Sequence, residues 1–214
     1  MNRSLEDSSI KPKIPIILAS GSESRKLMLE EFGLEFDVVI SDVYEDDLKE
    51  KISKESFQQQ VIYLAKAKAQ EVSFQYPNAI VIGGDQMCVL DDVIFNKPGD
   101  KTKAISNLQL LSGKKHFQNS GVCLFQNNKC LWEYSEIIEM QMRDLSEEEI
   151  VKYVELENPI HAAGAYKYES LGRNLFSSVS GSAFTIRGMP LIPLLNQLRE
   201  LDIINTKPFR DENN

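Results

Sequence analysis

A short apolar run at residues 14–18, followed by a turn of small residues and then a helical pattern, is the stretch that most constrains this chain. The apolar run is typical of a buried strand, and Ser20 opens the turn. Arg25 and Lys26 lie in the first turn of the predicted helix, where the helix dipole disfavours cations. The stretch therefore predicts a cradle for an anion such as phosphate. The alternative is an ordinary helix N-cap with solvated bases.

Strand-like and helical segments alternate along the first part of the chain, and a long hairpin follows. This order predicts an α/β fold with a mixed sheet flanked by helices. The acidic segment 41–51 is predicted to be a loop. Further strands are predicted at 36–40, 79–82, 87–90, 93–95, 116–126 and 131–142, and helices at 56–74, 102–111, 147–155 and 191–201.

Length and composition indicate one domain that does not bind nucleic acid. The chain has 214 residues, 42% of them hydrophobic, and a formal net charge of −8, whereas nucleic-acid binders carry a basic face. No apolar run reaches the length of a membrane span, and we expect a cytoplasmic protein. Residues 1–13 and 206–214 are predicted to be disordered tails around a single domain at 14–205.

Two acidic residues are candidates for metal binding or proton transfer. Asp85 follows the apolar run 79–82 and a pair of glycines, and ligands of α/β sheets gather at such strand ends. Its carboxylate can bind a divalent cation or take a proton from water; the alternative is a turn residue. Glu45, in the acidic segment, can be a second ligand of the same metal, or a solvated loop acid.

Two lysines extend the set of candidate anion donors. Lys68 falls within the apolar stripe of the predicted helix 56–74, so it either extends along that face to solvent or contacts an anion. Lys97 precedes a proline, which restricts its backbone to extended conformations and orients its side chain. Together with Ser20 and Arg25, these lysines suit phosphoryl or nucleotidyl chemistry, in which positioning and charge neutralisation dominate.

The chain resembles the Maf family of nucleoside triphosphate pyrophosphatases. Residues 18–26, Leu-Ala-Ser-Gly-Ser-Glu-Ser-Arg-Lys, are similar to the family's opening motif L-A-S-x-S-P-x-R-R. Later motifs occur in the family order: L-A-x-x-K-A at 64–69, G-x-D-Q at 83–86, K-P at 97–98, A-G-x-x-K-x-E at 163–169 and G-x-P-L at 188–191. The match extends over nearly the whole chain.

The resemblance implies a fold and a reaction. The expected fold is a long curved mixed sheet with two lobes around a central cleft, as in the related inosine triphosphatases. The expected reaction is hydrolysis between the α- and β-phosphates of a nucleoside triphosphate. By resemblance, Asp85 activates water, Glu45 and Asp85 hold Mg²⁺ or Mn²⁺, and the triphosphate is bound by Lys68, Lys97, Arg25, Ser20 and Lys26. The resemblance leaves a homodimer open.

Base selection is the least constrained expectation. Ser24, Gln86 and Glu169 occupy the family positions linked to the base, and Gln86 and Glu169 resemble the branch associated with 7-methyl-GTP. The first motif has Lys26 in place of an arginine, which keeps the charge but loses the bidentate fork. Two alternatives remain: an inosine or xanthosine triphosphate pyrophosphatase, and a catalytically weak nucleotide-binding regulator of cell division.

Overall fold

A mixed seven-stranded sheet forms the centre of the protein. The fold is taken from a computed structural model that describes residues 10–205. The strands are β1 (Ile16–Leu18), β2 (Asp37–Val38), β3 (Ile80–Leu90), β4 (Val93–Phe95), β5 (Lys115–Gln126), β6 (Lys129–Met142) and β7 (Phe176–Ser180). Their order in the sheet is β2-β1-β3-β5-β6-β7, with β4 paired to β3. Strands β1, β2 and β3 are parallel, and all other pairings are antiparallel.

Helices flank this sheet, so the predicted class, a mixed α/β fold, is confirmed. Two capping boxes fix helix starts, at Ser56 before the helix at 57–75 and at Ser146 before the helix at 147–157. In each box, the serine hydroxyl accepts from the backbone amide three residues later, and the side chain of that later residue accepts from the serine amide. The helices are α1 (Glu23–Phe32), α2 (Glu45–Lys51), α3 (Phe57–Gln75), α4 (Lys101–Leu111), α5 (Glu147–Glu157), α6 (Ala183–Ile186) and α7 (Leu191–Glu200).

The hydrophobic core is divided between the two ends of the long strands. At one end, α1 and α7 pack on β1 and the first residues of β3, through side chains such as Met28, Leu194 and Ile82. At the other end, α4 and α5 pack on the last residues of β3 and β6, through side chains such as Leu108 and Met140. Residues from both ends line one large cavity, which therefore lies between two lobes.

The prediction that a strand stops before Gly83 is wrong. Strand β3 continues from Ile80 through Gly83 and Asp85 to Leu90, because β5 pairs with it over nearly this whole length. The glycines that indicated a break are instead positions of close packing against other elements. Asp85 therefore lies within a strand and not after one.

The predicted loop at 41–51 is also wrong in its second half, which forms helix α2. Three acids in its first turn and two lysines in its last turn match the helix dipole, and Glu45 pairs with Lys49 one turn later. None of its residues is buried, so no apolar periodicity was present to predict the helix.

The predicted tails lie mostly outside the described residues, which begin at Ile10 and end at Asn205. Residues 10–13 belong to the folded part. Ile10 forms a parallel bridge with Leu34, and the Lys13 amide donates to the carbonyl of Ile203 at 2.8 Å. These backbone bonds attach the start of the described chain to both α1 and the region after α7.

Candidate functional site

One edge of β3 has strand partners at both ends and none in the middle. Strand β1 pairs with it as far as Ile82, and β4 pairs with it from Cys88 onward. Both lie on the edge opposite β5, because Val81 and Val89 pair with β5 as well. Asp85 lies in the middle of the intervening gap, and the residues that follow β1 and β4 converge on it from either side. The sheet topology therefore creates an opening at Asp85.

Lys68 joins the two candidate carboxylates. Its amine lies 2.6 Å from Asp85 Oδ1 and 2.8 Å from Glu45 Oε1, with the lysine side chain 13% exposed. Lys49 contacts the other oxygen of Glu45 at 3.2 Å. Although burial raises the pKa of the Glu45 carboxyl, Lys68 and Lys49 outweigh it and hold that pKa below its ordinary value. The carboxylates of α2 and β3 are thus brought together by one lysine of α3.

Glycines let α3 approach the sheet closely enough to place Lys68. A Cβ at Gly83 would lie 2.2 Å from the carbonyl oxygen of Ala65, and one at Gly121 would lie 2.9 Å from the carbonyl carbon of Val61. Both distances are below van der Waals contact. Side chains at these two positions would push the helix away from β3 and β5, and Lys68 with it.

Arg25 is the buried cation of the predicted anion cradle. Its residue is 8% exposed, its Nε donates to the carbonyl of Gly188 at 2.8 Å, and its Nη1 donates to Ser20 Oγ at 3.1 Å. Burial lowers the pKa of the guanidinium, while Asp85 and Glu45 oppose that shift. Ser22 caps helix α1 by accepting from the Arg25 amide, so the N-cap interpretation also holds for this turn.

Two other predicted donors differ in their placement. Lys97 follows β4, is exposed and lines the same cavity as Asp85. Lys26 does not line it; the amine of Lys26 lies 3.8 Å from both Glu23 and Glu30 on the outer side of α1. The structure thus places Lys26 away from the cavity wall, because successive residues of a helix face different directions, and binding of the triphosphate by Lys26 stays a prediction.

The three residues linked to base selection all line the cavity. Ser24 donates to the carbonyl of Arg187 at 3.0 Å, and Gln86 donates to the carbonyls of Thr185 and Ile186 at 3.2 and 2.8 Å. Glu169 has its backbone carbonyl bonded to the Arg173 side chain. Gln86 thus contacts the backbone of α6 and Ser24 contacts the residue that follows it, which the sequence patterns did not predict.

The cavity has a volume of about 1480 Å³, which exceeds that of typical small-molecule pockets. Sequence patterns missed Arg187, which also lines it and forms a two-pronged ion pair with Glu31 at 2.8 and 3.1 Å. Its position one residue before the G-x-P-L motif was the only signal. The lining contains as many lysines and arginines as aspartates and glutamates, which distinguishes this surface from the acidic molecule as a whole.

Among residues 10–205, no group of three or more histidine, cysteine, aspartate or glutamate side chains is arranged to hold a metal ion. Glu45 and Asp85 supply two carboxylates instead. Magnesium is commonly bound by one or two carboxylates together with substrate phosphates, so this pair fits such an ion. Within the same residues, no helix is long and apolar enough to cross a membrane.

Fold and site together define an α/β protein with a charged cleft suited to a polyphosphate. Comparison with known proteins specifies the family. A family model described as "Maf-like protein" matches residues 15–201, and the chain belongs to this family.

Two curated relatives extend the comparison over most of the chain. A nucleoside triphosphate pyrophosphatase of Legionella pneumophila (strain Paris) is 42% identical over 190 residues, which cover 89% of this chain and 95% of the relative. A 7-methyl-GTP pyrophosphatase of Rhizobium etli is 37% identical over 194 residues, covering 89% and 98%.

Among solved structures, a nucleoside-triphosphatase (dITP/XTP pyrophosphatase) from Mycobacterium abscessus matches 88% of this chain and 98% of its own. The TM-score is 0.44 and the identity is 14%. This likeness is too low to carry an argument about substrate.

Proposed function

We propose that this protein is a nucleoside triphosphate pyrophosphatase that hydrolyses the bond between the α- and β-phosphates. The observation that carries the proposal is the contact of Lys68 with both Asp85 and Glu45. With buried Arg25 nearby, this arrangement places cations and carboxylates around one opening. Similarity to relatives with this activity in their names supports the same reaction.

In the proposed reaction, the oxygen of a water molecule bonds to the α-phosphorus and the bond from that phosphorus to the pyrophosphate oxygen breaks. Asp85 accepts the proton of the water, and the products are a nucleoside monophosphate and pyrophosphate. Arg25, Lys68 and Lys97 neutralise the charge of the phosphates, and Ser20 orients Arg25 through its hydroxyl. Fixed charges of this kind stabilise developing charge without reorganisation.

A divalent cation, Mg²⁺ or Mn²⁺, is part of the proposal. Glu45 and Asp85 would hold it, since their oxygens are of the type that hard cations prefer. When bound, such an ion lowers the pKa of water and neutralises phosphate charge. Loss of activity in EDTA and its return with either metal is the expected result.

For the base, we propose a purine of the 7-methylguanine type. The supporting observations are Glu169 in the cavity wall and the name of the Rhizobium etli relative. A carboxylate accepts hydrogen bonds from the N1–H and N2–H₂ groups of such a base. Pyrophosphate release should be measured with 7-methyl-GTP, GTP, ITP, XTP, UTP and TTP. Preference for ITP or XTP would contradict this base assignment and leave the reaction class intact.

Asp85→Asn tests the reaction itself. Asparagine keeps the shape and still accepts from Lys68, but it cannot take a proton. We expect pyrophosphate release to fall by at least ~100-fold, the usual contribution of a general base, with a nearly unchanged melting curve. Asp91→Asn is the matched control, because Asp91 lies in the β3–β4 turn and does not line the cavity. Equal activity of Asp85→Asn and the unaltered protein would overturn the assignment.

A further inference from the structure

The end of α6 is held by a side chain of the cavity wall. The amide nitrogen of Gln86 donates to the carbonyls of Thr185 and Ile186 at 3.2 and 2.8 Å, and it also lies 3.1 Å from Ser120 Oγ. Because carbonyl oxygens only accept hydrogen bonds, the nitrogen of the Gln86 amide must face them. Both hydrogens of this amide nitrogen are therefore used in hydrogen bonds to other atoms of the protein.

The next two carbonyls along the chain are held by α1. Ser24 Oγ donates to the carbonyl of Arg187 at 3.0 Å, and Arg25 Nε donates to the carbonyl of Gly188 at 2.8 Å. A serine hydroxyl has one hydrogen, so Ser24 has no donor left for a ligand. The carbonyls of Arg187 and Gly188 follow α6, so the helix supplies no partner for them and side chains of α1 do.

The same contacts fix the guanidinium of Arg25. A Cβ at Gly84 would lie 3.0 Å from Arg25 Nε, and a Cβ at Gly188 would lie 3.4 Å from Arg25 Nη2. The side chain is thus confined between two glycines, one on β3 and one on the segment that follows α6. Arginine has five N–H donors, and the bonds to Gly188 and Ser20 use two of them. The remaining donors are available to an anion.

We infer that Ser24 and Gln86 are positioning residues for phosphate binding: they hold the segment 185–188 in place, and this segment in turn orients Arg25. This inference rests on the proposed function, since it assigns Arg25 to the triphosphate. It differs from recognition of the base by hydrogen bonds that Ser24 and Gln86 donate, which would require these side chains to release the carbonyls of residues 185–187.

Binding of inorganic tripolyphosphate, which has no base, tests the inference. Isothermal titration calorimetry with its Mg²⁺ complex and the full chain compares Ser24→Ala and Gln86→Met with the unaltered protein. Each variant should bind tripolyphosphate about five- to tenfold more weakly, because a displaced guanidinium loses charge-assisted bonds. Affinity for GTP and TTP should fall by the same factor. Ser24→Thr, which keeps the hydroxyl, should restore binding.

A matched control separates this effect from lost stability. Gln141 also donates to two backbone carbonyls, those of Gly113 and Met142, at 3.0 Å, but it does not line the cavity. Gln141→Met should leave tripolyphosphate affinity unchanged. If Ser24→Ala and Gln86→Met weaken nucleotide binding and leave tripolyphosphate binding intact, these residues contact the base and the inference fails. If the unaltered protein binds no tripolyphosphate, the proposed function itself fails.

Discussion

At the scale of single residues, Lys68 is the side chain that links the two candidate carboxylates of the site. Its amine is shared by a carboxylate of β3 and a carboxylate of α2, and without it two negative groups would face each other at the opening. Like charges in partly buried surroundings raise each other's pKa. Lys68 therefore offsets the repulsion between the two carboxylates and holds them close together before a nucleotide arrives.

Replacing Lys68 with methionine tests this role. Methionine keeps the packing of the stem but removes the charge, so we expect kcat/KM for pyrophosphate release to fall by at least ~100-fold. The pKa of Glu45, lowered mainly by Lys68 against the effect of burial, should rise. Lys66→Met is the matched control, because Lys66 lies two residues earlier on α3 and pairs with Glu133 on the surface. Equal losses in the two variants would contradict the prediction.

Some of the charged side chains that meet at the opening could be singled out from sequence, because charged residues within apolar patterns are rare. Lys68 was identified in this way, and Asp85 from its place in a strand–glycine pattern. Their mutual contact was not predictable, since it depends on how closely α3 approaches β3. The position of Lys26 outside the cavity wall was not predictable either, because sequence adjacency to Arg25 does not indicate which side of the helix a residue faces.

At the scale of elements, the approach of α3 to the sheet depends on the absence of side chains at Gly83 and Gly121. The contacts at Gly83 involve the backbone of α3, so rotation of a neighbouring side chain cannot relieve them. Sequence reasoning interpreted the Gly83-Gly84 pair as a strand end, because glycine is depleted in strands. Glycine is present at position 83 because α3 packs on the strand there. From sequence alone, such a glycine cannot be distinguished from one in a turn.

Gly83→Ala should destabilise the fold strongly. The added Cβ would overlap the carbonyl of Ala65, so α3 must move; we expect the free energy of unfolding to fall by about 3 kcal/mol, in the range of severe overpacking. Urea unfolding measures this loss. Gly113→Ala is the comparison, because its φ of 70° is strained for alanine while the nearest atom is 3.8 Å away; about 1 kcal/mol is expected there. Similar losses in both would contradict the packing argument.

At the scale of the whole molecule, acid stability depends on a buried histidine in the second lobe. His116 is fully buried, and its Nε2 lies 2.9 Å from the hydroxyl of Tyr166, which also accepts from Gln118. The ring of Phe176 is adjacent. These neighbours are uncharged, and burial lowers the pKa of His116 from 6.5 to about 4. The folded protein therefore keeps this ring neutral under conditions in which the unfolded chain protonates it.

The stability of the fold should consequently decrease between pH 6.5 and pH 4. In that window the unfolded state binds more protons than the folded state, so the free energy of unfolding rises with pH. A shift of this size corresponds to a loss on the order of 3 kcal/mol at the acid end. Urea unfolding at pH 7, 6 and 5 measures it, and His116→Gln should flatten the profile. His161→Gln, at an exposed position, serves as the control; equal slopes for the two variants would refute the assignment.

The overall fold class was predictable because long strands and helices have clear periodicities of apolar residues. Two short helices were not predictable. Helix α2 buries no residue and was assigned to a loop, and the four-residue helix α6 was not predicted. Both lie at the cavity. Helix α2 is exposed and therefore lacks apolar spacing, whereas α6 buries Thr185 and Ile186 but is a single turn, too short to show a period.

Strand β3 has a mechanical consequence for the way this protein takes up and releases ligands. It runs without interruption from Ile80 to Leu90 and contributes side chains to the hydrophobic core of both lobes. Relative movement of the lobes must therefore bend or twist a hydrogen-bonded ribbon, since no flexible hinge crosses the cleft along this strand. We therefore expect any such movement of the lobes to be small in amplitude.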